Sequence, residues 1–318
     1  MKSVFLDFAT LSNNDVDTTR LDHALPGLQY YPVSDVHEIA GRIRDAEIVL
    51  TNKIVLNRAL LEGADALKLI VLAATGTNNV DLEVARERGV AVYNIRGYCT
   101  SSVVQHVFAL ILSLTRHLRS YHELLEKSAW SASPQFCMLD YPIRELDGKT
   151  LGIIGFGELG QAVARAATAF GMRVKVARRP GAVTEQDGRL SIEDLLGRSD
   201  IVSLHCPLTP QTRGLIGQAE LELMKEDALL INTARGALVD EEALALALRA
   251  GRLGGAGIDV LSEEPPAQGN PLLTGRIPNL IVTPHVAWAA REARQRALDA
   301  MLENIAAFLR GDHRNRVA

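Results

Sequence analysis

Three residues of complementary chemistry stand just beyond three short apolar runs in the second half of the chain. Arg235 follows residues 229–232 within Asn232-Thr233-Ala234-Arg235-Gly236, Glu264 follows residues 256–260, and His285 follows residues 280–283 and Pro284. Reducing a ketone by hydride transfer needs a proton donor for the developing alkoxide, and an imidazole can serve near neutral pH. A carboxylate beside that imidazole stabilises its protonated form and fixes the ring. A guanidinium can bind a substrate carboxylate and polarise the adjacent carbonyl. Singly, each residue has a plainer reading: a histidine at a strand end is commonly structural, and Glu263-Glu264 could be a surface pair. Together, behind the turn described next, they point to chemistry on a carbonyl compound that bears a carboxylate.

That turn is Gly155-Phe156-Gly157-Glu158-Leu159-Gly160, set between the apolar run 151–154 and a helical pattern over 161–170. The first glycine permits a tight turn, the second lets a pyrophosphate approach the backbone, and the third lets helix and strand pack closely. The helix N-terminus then offers unpaired N–H groups to phosphates. A glycine pattern alone is weak, but between this strand and this helix it reads as a dinucleotide site. An acidic residue ordinarily follows the next strand to hold the ribose 2′-hydroxyl of NAD. Here residues 173–177 run into Arg178-Arg179-Pro180, with no acid before Glu185. Two guanidiniums can pair with a 2′-phosphate, so NADP is favoured and NAD remains possible.

The elements that must carry these residues are legible as alternation. Apolar runs at 4–8, 28–31, 48–51, 69–73 and 90–93, then at 151–154, 173–177, 201–204, 229–232, 256–260 and 280–283, alternate with helical patterns. Short Val/Ile/Leu-rich runs of this kind read as buried parallel strands in βαβ units, and five followed by six predict two doubly wound α/β domains. Ligands bind such sheets beyond the carboxyl ends of the strands, where the polar trio stands. A long helix is expected from Ser101 or Ser102 through Arg119, apolar around most of its circumference over 102–118 and therefore buried, in the chain or against a second copy. A loop with Trp130, Pro134 and Pro142 follows, and a last helical stretch, 291–310, has no strand after it.

Length and composition set outer bounds. The chain has 318 residues, 47% hydrophobic and 23% charged, which suits two compact globular domains. A net charge of −4 provides no electrostatic footprint for nucleic acid or an anionic membrane. Cys99, Cys137 and Cys206 are odd in number and widely spaced, which argues against a disulfide framework or zinc site and suits a reducing cytoplasm. The N-terminus does not read as a signal peptide, and residues 103–114 are too short to span a bilayer. The eight histidines show no metal-binding spacing, and His117 and His122, five apart, do not share a helix face well.

The four ordered motifs, namely the glycine turn, Asn232 to Gly236, Gly257-Ile258-Asp259-Val260 to Glu264-Pro265, and Thr283-Pro284-His285, resemble the D-isomer-specific 2-hydroxyacid dehydrogenases over nearly the whole chain. Within them the chain looks most like the glycerate dehydrogenase/hydroxypyruvate reductase group, supported by Ala74 to Asp81, Gly97-Tyr98-Cys99-Thr100, Val104-Gln105-His106 and His285 to Trp288. The resemblance implies a Rossmann nucleotide-binding domain over 99–288 and a flavodoxin-like substrate domain over 1–98 and 289–318. The double crossing between the domains would serve as a hinge. It implies that Arg235 binds substrate, that Glu264 supports His285, and that His285 is the general acid in reduction and base in oxidation. Amides around Thr75 and Gly76 would hold the substrate carboxylate. Asp259 would meet the nicotinamide carboxamide, Cys206 and Pro207 would line the adenosine side, and Thr212, Thr233, Ala234, Arg235, His285 and Ala287 complete the cofactor set. A homodimer is implied, with Trp130 offered to the partner's site. The sequence departs from the family at Arg178, which replaces the usual acid, and at Gln105, where many relatives carry glutamate.

The resulting expectation is an NADPH-preferring reductase of hydroxypyruvate and glyoxylate. Another 2-keto acid, formate as hydride donor, and a non-catalytic dinucleotide-sensing protein are the alternatives. Formate enzymes resembling this family carry glutamine at the position of Glu264, so the carboxylate here counts against that reading.

Overall fold

The computed structural model describes residues 1–179, 188–313 and 315–318, so Pro180 and Glu185 lie outside the described residues. The chain divides into two compact units, one formed by Met1–Cys99 with Trp288–Ala318 and the other by Thr100–Ala287.

The first unit is built on β1 (Ser3–Phe5), β2 (Gln29–Tyr30), β3 (Ile48–Thr51), β4 (Leu69–Leu72) and β5 (Ala91–Tyr93). They form one parallel sheet in the order β2-β1-β3-β4-β5, the flavodoxin-like order. The runs are continuously apolar because both faces are covered. Val4, Val49, Ile70, Leu72 and Val92 point into one cluster, whereas Phe5, Ile48, Leu50, Leu69, Val71 and Tyr93 point into the other. The second cluster is closed by the terminal helix Arg291–Leu309 through Ala297, Leu298, Met301 and Ile305. Its first turn is fastened by Arg294, which grips both oxygens of Asp15 at 2.7 and 2.6 Å and holds that carboxyl well below the usual range. Asn79 ties together the loops after β3 and β4 by donating to the Ile54 carbonyl at 3.0 Å.

The second unit contains β6 (Thr150–Ile154), β7 (Arg173–Val176), β8 (Ile201–Leu204), β9 (Leu229–Asn232), β10 (Gly255–Ile258) and β11 (Leu280–Val282). Their parallel order is β11-β10-β9-β8-β6-β7. Beyond β7, an isolated parallel bridge joins Ala177 to Leu190 and occupies the place of one further strand. With it, the succession outward from β6 is that of a Rossmann sheet, whose direction of winding reverses between β6 and β8. The inner strands are wholly buried, whereas β7 and β11 at the margins are only partly so.

The helix expected to run unbroken to Arg119 instead ends at Thr115, and a second helix spans Leu118–Glu126. The break is at His117, which adopts a left-handed φ of 49° and stacks its ring on Tyr141. The carbonyl of Thr115 is satisfied by the Arg144 amide at 3.0 Å, so tertiary contacts replace the helical ladder there. Helix Thr100–Thr115 is buried within its own unit through Val103, Val107, Leu110, Ile111 and Leu114. Ser102 does not cap it; its hydroxyl donates to the Ala287 carbonyl at 2.7 Å. No helix among the described residues is long and apolar enough to cross a membrane.

Candidate active site

The glycine turn lies at the carboxyl end of β6, beside the reversal point of the sheet. Gly155 has φ +97°, and an added Cβ would sit 2.4 Å from the Cys206 amide nitrogen. A Cβ on Gly160 would lie 2.1 Å from the Gly155 carbonyl oxygen, so helix Glu158–Ala169 can pack this close only with glycine there. A Cβ on Gly157 would meet nothing within 4 Å, so the turn is open on the side where a ligand would approach. Gly157 caps the helix without any side-chain hydrogen bond, leaving N-terminal amides available to an anion. Glu158 accepts a hydrogen bond from the Thr100 hydroxyl. Next to Glu158, Leu159 is part of the first helical turn.

A cavity of about 760 Å³ extends from this turn, lined by Phe156, Arg178, Arg179, Arg189, His205, Cys206, Pro207 and Thr212 among others. Arg189 was not singled out from the sequence. It reaches the cavity because the Ala177–Leu190 bridge brings its segment back to the end of β7, with hydrogen bonds of 2.8 and 3.0 Å. Its guanidinium lies 5.8 Å from the Phe156 ring centroid. The positive charge of the cavity belongs to the arginines, because burial pushes the His205 imidazole down to about 4 and keeps it neutral. Burial likewise pushes the Cys206 thiol up to about 11, so it serves as an uncharged wall. The Thr212 hydroxyl is spent on the Pro207 carbonyl at 2.8 Å, which shapes that wall. Open glycine backbone, an uncapped helix N-terminus, clustered guanidiniums and the buried Oγ1 of Thr233, which has no partner among the described residues, together fit a nicotinamide dinucleotide.

Arg235, Glu264 and His285 come from three neighbouring strand ends. After β9, the buried Asn232 side chain donates to the Arg235 carbonyl at 2.9 Å and accepts from the Ala234 amide at 3.0 Å. That clamp fixes the turn and leaves the exposed Arg235 guanidinium bonded only to the Ala234 carbonyl among the described residues. Gly236 permits close contact, since a Cβ there would fall 1.9 Å from the Leu261 carbonyl carbon. Leu261 in turn begins the segment carrying Glu264. One Glu264 oxygen accepts from the Leu261 amide at 2.8 Å, and the other lies 2.6 Å from His285 Nδ1. An ionised carboxylate can only accept, so the proton between the two groups sits on His285 Nδ1.

Asp259 follows β10, and its side chain is 0% exposed. Its carboxylate accepts from the Val286 and Ala287 amides, both at 2.9 Å, and from Thr283 Oγ1 at 2.5 Å. It therefore organises the turn that presents His285. In the first unit, Thr75 and Gly76 follow β4, where Thr75 Oγ1 donates to the Ile95 carbonyl and Asn94 Nδ2 to the Thr75 carbonyl. The amides of Thr75 and Gly76 donate to no oxygen among the described residues. Trp130 is half-exposed and donates from Nε1 to the Phe136 carbonyl at 3.1 Å.

A Rossmann sheet with a glycine turn, and a His–Glu pair with an arginine on its strand ends, defines a nicotinamide-dependent dehydrogenase. Residues 108–287 match the model of the D-isomer specific 2-hydroxyacid dehydrogenase NAD binding domain. Glycerate dehydrogenase of Methylorubrum extorquens is 44% identical, covering 99% of this chain and 98% of its own. Hydroxypyruvate reductase of Blautia hydrogenotrophica is 38% identical, with 98% of each chain covered. The solved structure of an acyclic imino acid reductase in complex with NADPH and D-Arg superposes with a TM-score of 0.86 at 27% identity, covering all of both chains. The chain belongs to the D-isomer-specific 2-hydroxyacid dehydrogenases.

Proposed function

We propose that the protein is an NADPH-preferring reductase of hydroxypyruvate and glyoxylate, forming D-glycerate and glycolate. The observation that carries the reading is the 2.6 Å Glu264–His285 contact on the sheet edge that also carries Arg235. The nicotinamide supplies the hydride when bound. Arg235 binds the substrate carboxylate and polarises the neighbouring carbonyl. His285 gives its Nε2 proton to the carbonyl oxygen as negative charge develops, and keeps its Nδ1 proton, donated to the ionised Glu264, throughout. In the reverse direction the same nitrogen accepts the hydroxyl proton. The free amides of Thr75 and Gly76 suit a carboxylate. Arg178, Arg179 and Arg189, with no acid at the end of β7, suit a 2′-phosphate. NADPH in the related imino acid reductase is consistent with this preference.

The assembly proposed is a homodimer, supported by the apolar side chains exposed at Leu118, Leu125, Trp130, Phe136 and Leu139. A second copy would cover them and receive Trp130. The proposed compartment is the cytoplasm, in keeping with three free cysteines.

The test is a steady-state panel of glyoxylate, hydroxypyruvate, pyruvate and phenylpyruvate with each cofactor. Hydroxypyruvate and glyoxylate should give the highest kcat/KM, and NADPH should exceed NADH by at least about tenfold, as charge-assisted hydrogen bonds to a phosphate warrant. Equal or better use of NADH would refute the cofactor preference, and failure with every 2-keto acid would refute the enzymatic reading.

A further inference from the structure

Helix Thr100–Thr115 sends two polar side chains, four residues apart on one face, to the turn that carries His285. Ser102 Oγ donates to the Ala287 carbonyl at 2.7 Å, and His106 Nε2 lies 2.9 Å from Thr283 Oγ1. The His106 side chain is 20% exposed, so most of the ring is out of water and a specific partner offsets its desolvation.

The protons in this cluster can be assigned. Thr283 Oγ1 stands between His106 and Asp259, whose Oδ1 is 2.5 Å away. A threonine hydroxyl has one proton, and an ionised carboxylate can only accept, so that proton points at Asp259. The hydroxyl oxygen must then accept from His106, which places a proton on His106 Nε2. The direct His106–Asp259 separation, 3.5 Å, is too long for a good hydrogen bond, so the hydroxyl carries the connection. The order is His106 Nε2–H to Thr283 Oγ1–H to Asp259 Oδ1.

Asp259 passes this constraint to the site. Its two oxygens hold the Val286 and Ala287 amides, and its own carbonyl accepts the His285 amide at 2.7 Å. The backbone at His285 has φ +55°, a left-handed conformation that a histidine keeps only when its surroundings impose it. We infer that His106 is a positioning residue for His285, acting through Thr283 and Asp259 to hold the turn in which the imidazole faces its substrate. This rests on the proposed role of His285 as the acid.

The experiment compares His106→Leu, His106→Gln, Thr283→Val, Thr283→Ser and His285→Ala in the full chain with hydroxypyruvate and NADPH. His106→Leu and Thr283→Val should each lower kcat by about tenfold, the effect of losing one hydrogen bond from a charged network. NADPH affinity, read by fluorescence titration, should stay within about twofold. Glutamine places an N–H where Nε2 stood and serine retains the hydroxyl, so both should recover most of kcat. The double variant His106→Leu/Thr283→Val should be no slower than Thr283→Val alone, because the two act in series. Unchanged kcat in His106→Leu overturns the inference, as does a loss in His106→Gln as large as in His106→Leu. Multiplicative effects in the double variant overturn it equally. If His285→Ala retains kcat, the acid assignment itself fails; if it loses kcat while His106→Leu does not, only the positioning role fails.

Discussion

Replacing His285 with alanine is expected to lower kcat for hydroxypyruvate reduction by about 10²–10⁴-fold, the range for loss of a positioned general acid. The size of the effect follows from geometry. His285 Nδ1 is committed to Glu264 at 2.6 Å, and the backbone around it is fixed by Asp259. Alanine has no titratable group, so it removes the imidazole held 2.6 Å from Glu264 and puts nothing that can carry a proton in its place. The cofactor cavity lies around the glycine turn and the arginines that follow β7, so binding of NADPH should change little. Stopped-flow measurement of the chemical step, with a fluorescence titration of NADPH, separates the two effects. A variant that keeps its chemical rate would show that the proton comes from elsewhere.

Replacing Arg235 with glutamine should lower kcat/KM for hydroxypyruvate by roughly 10²–10³-fold, acting on both KM and kcat. The neutral amide loses charge and the two-pronged geometry that matches a carboxylate, and it no longer polarises the carbonyl. Lysine should recover part of the loss, because it restores the charge without the planar fork. The turn itself should survive these substitutions, since Asn232 clamps the Arg235 backbone and not its side chain. Initial rates over a wide substrate range distinguish the outcomes. A kcat/KM within about threefold of wild type would remove Arg235 from substrate binding.

Much of this arrangement was legible in the sequence. The eleven apolar runs all became strands, because parallel strands covered on both faces must be apolar at successive positions. The glycine turn was legible because close packing demands glycine at Gly155 and Gly160, while Gly157 leaves the backbone open to a ligand. Other features depend on contacts between residues far apart. Arg189 enters the cavity through a bridge between Ala177 and Leu190 that no local pattern announces. His106 sits in a helix whose apolar pattern drew attention to burial, and its partner Thr283 is 177 residues away. The break at His117 has no glycine or proline to mark it; stacking on Tyr141 and capture of the Thr115 carbonyl by Arg144 impose it. Beyond the break, Leu118, Phe136 and Leu139 are exposed.

In the proposed function, Arg235, Glu264 and His285 direct reduction of a 2-keto acid to its D-hydroxy product. Its most direct test is to incubate the purified protein with hydroxypyruvate and NADPH, follow NADPH oxidation, and resolve the product by chiral chromatography. D-glycerate should form in amounts equal to the NADPH consumed. Formation of L-glycerate, or no oxidation of NADPH beyond the rate without protein, would contradict it.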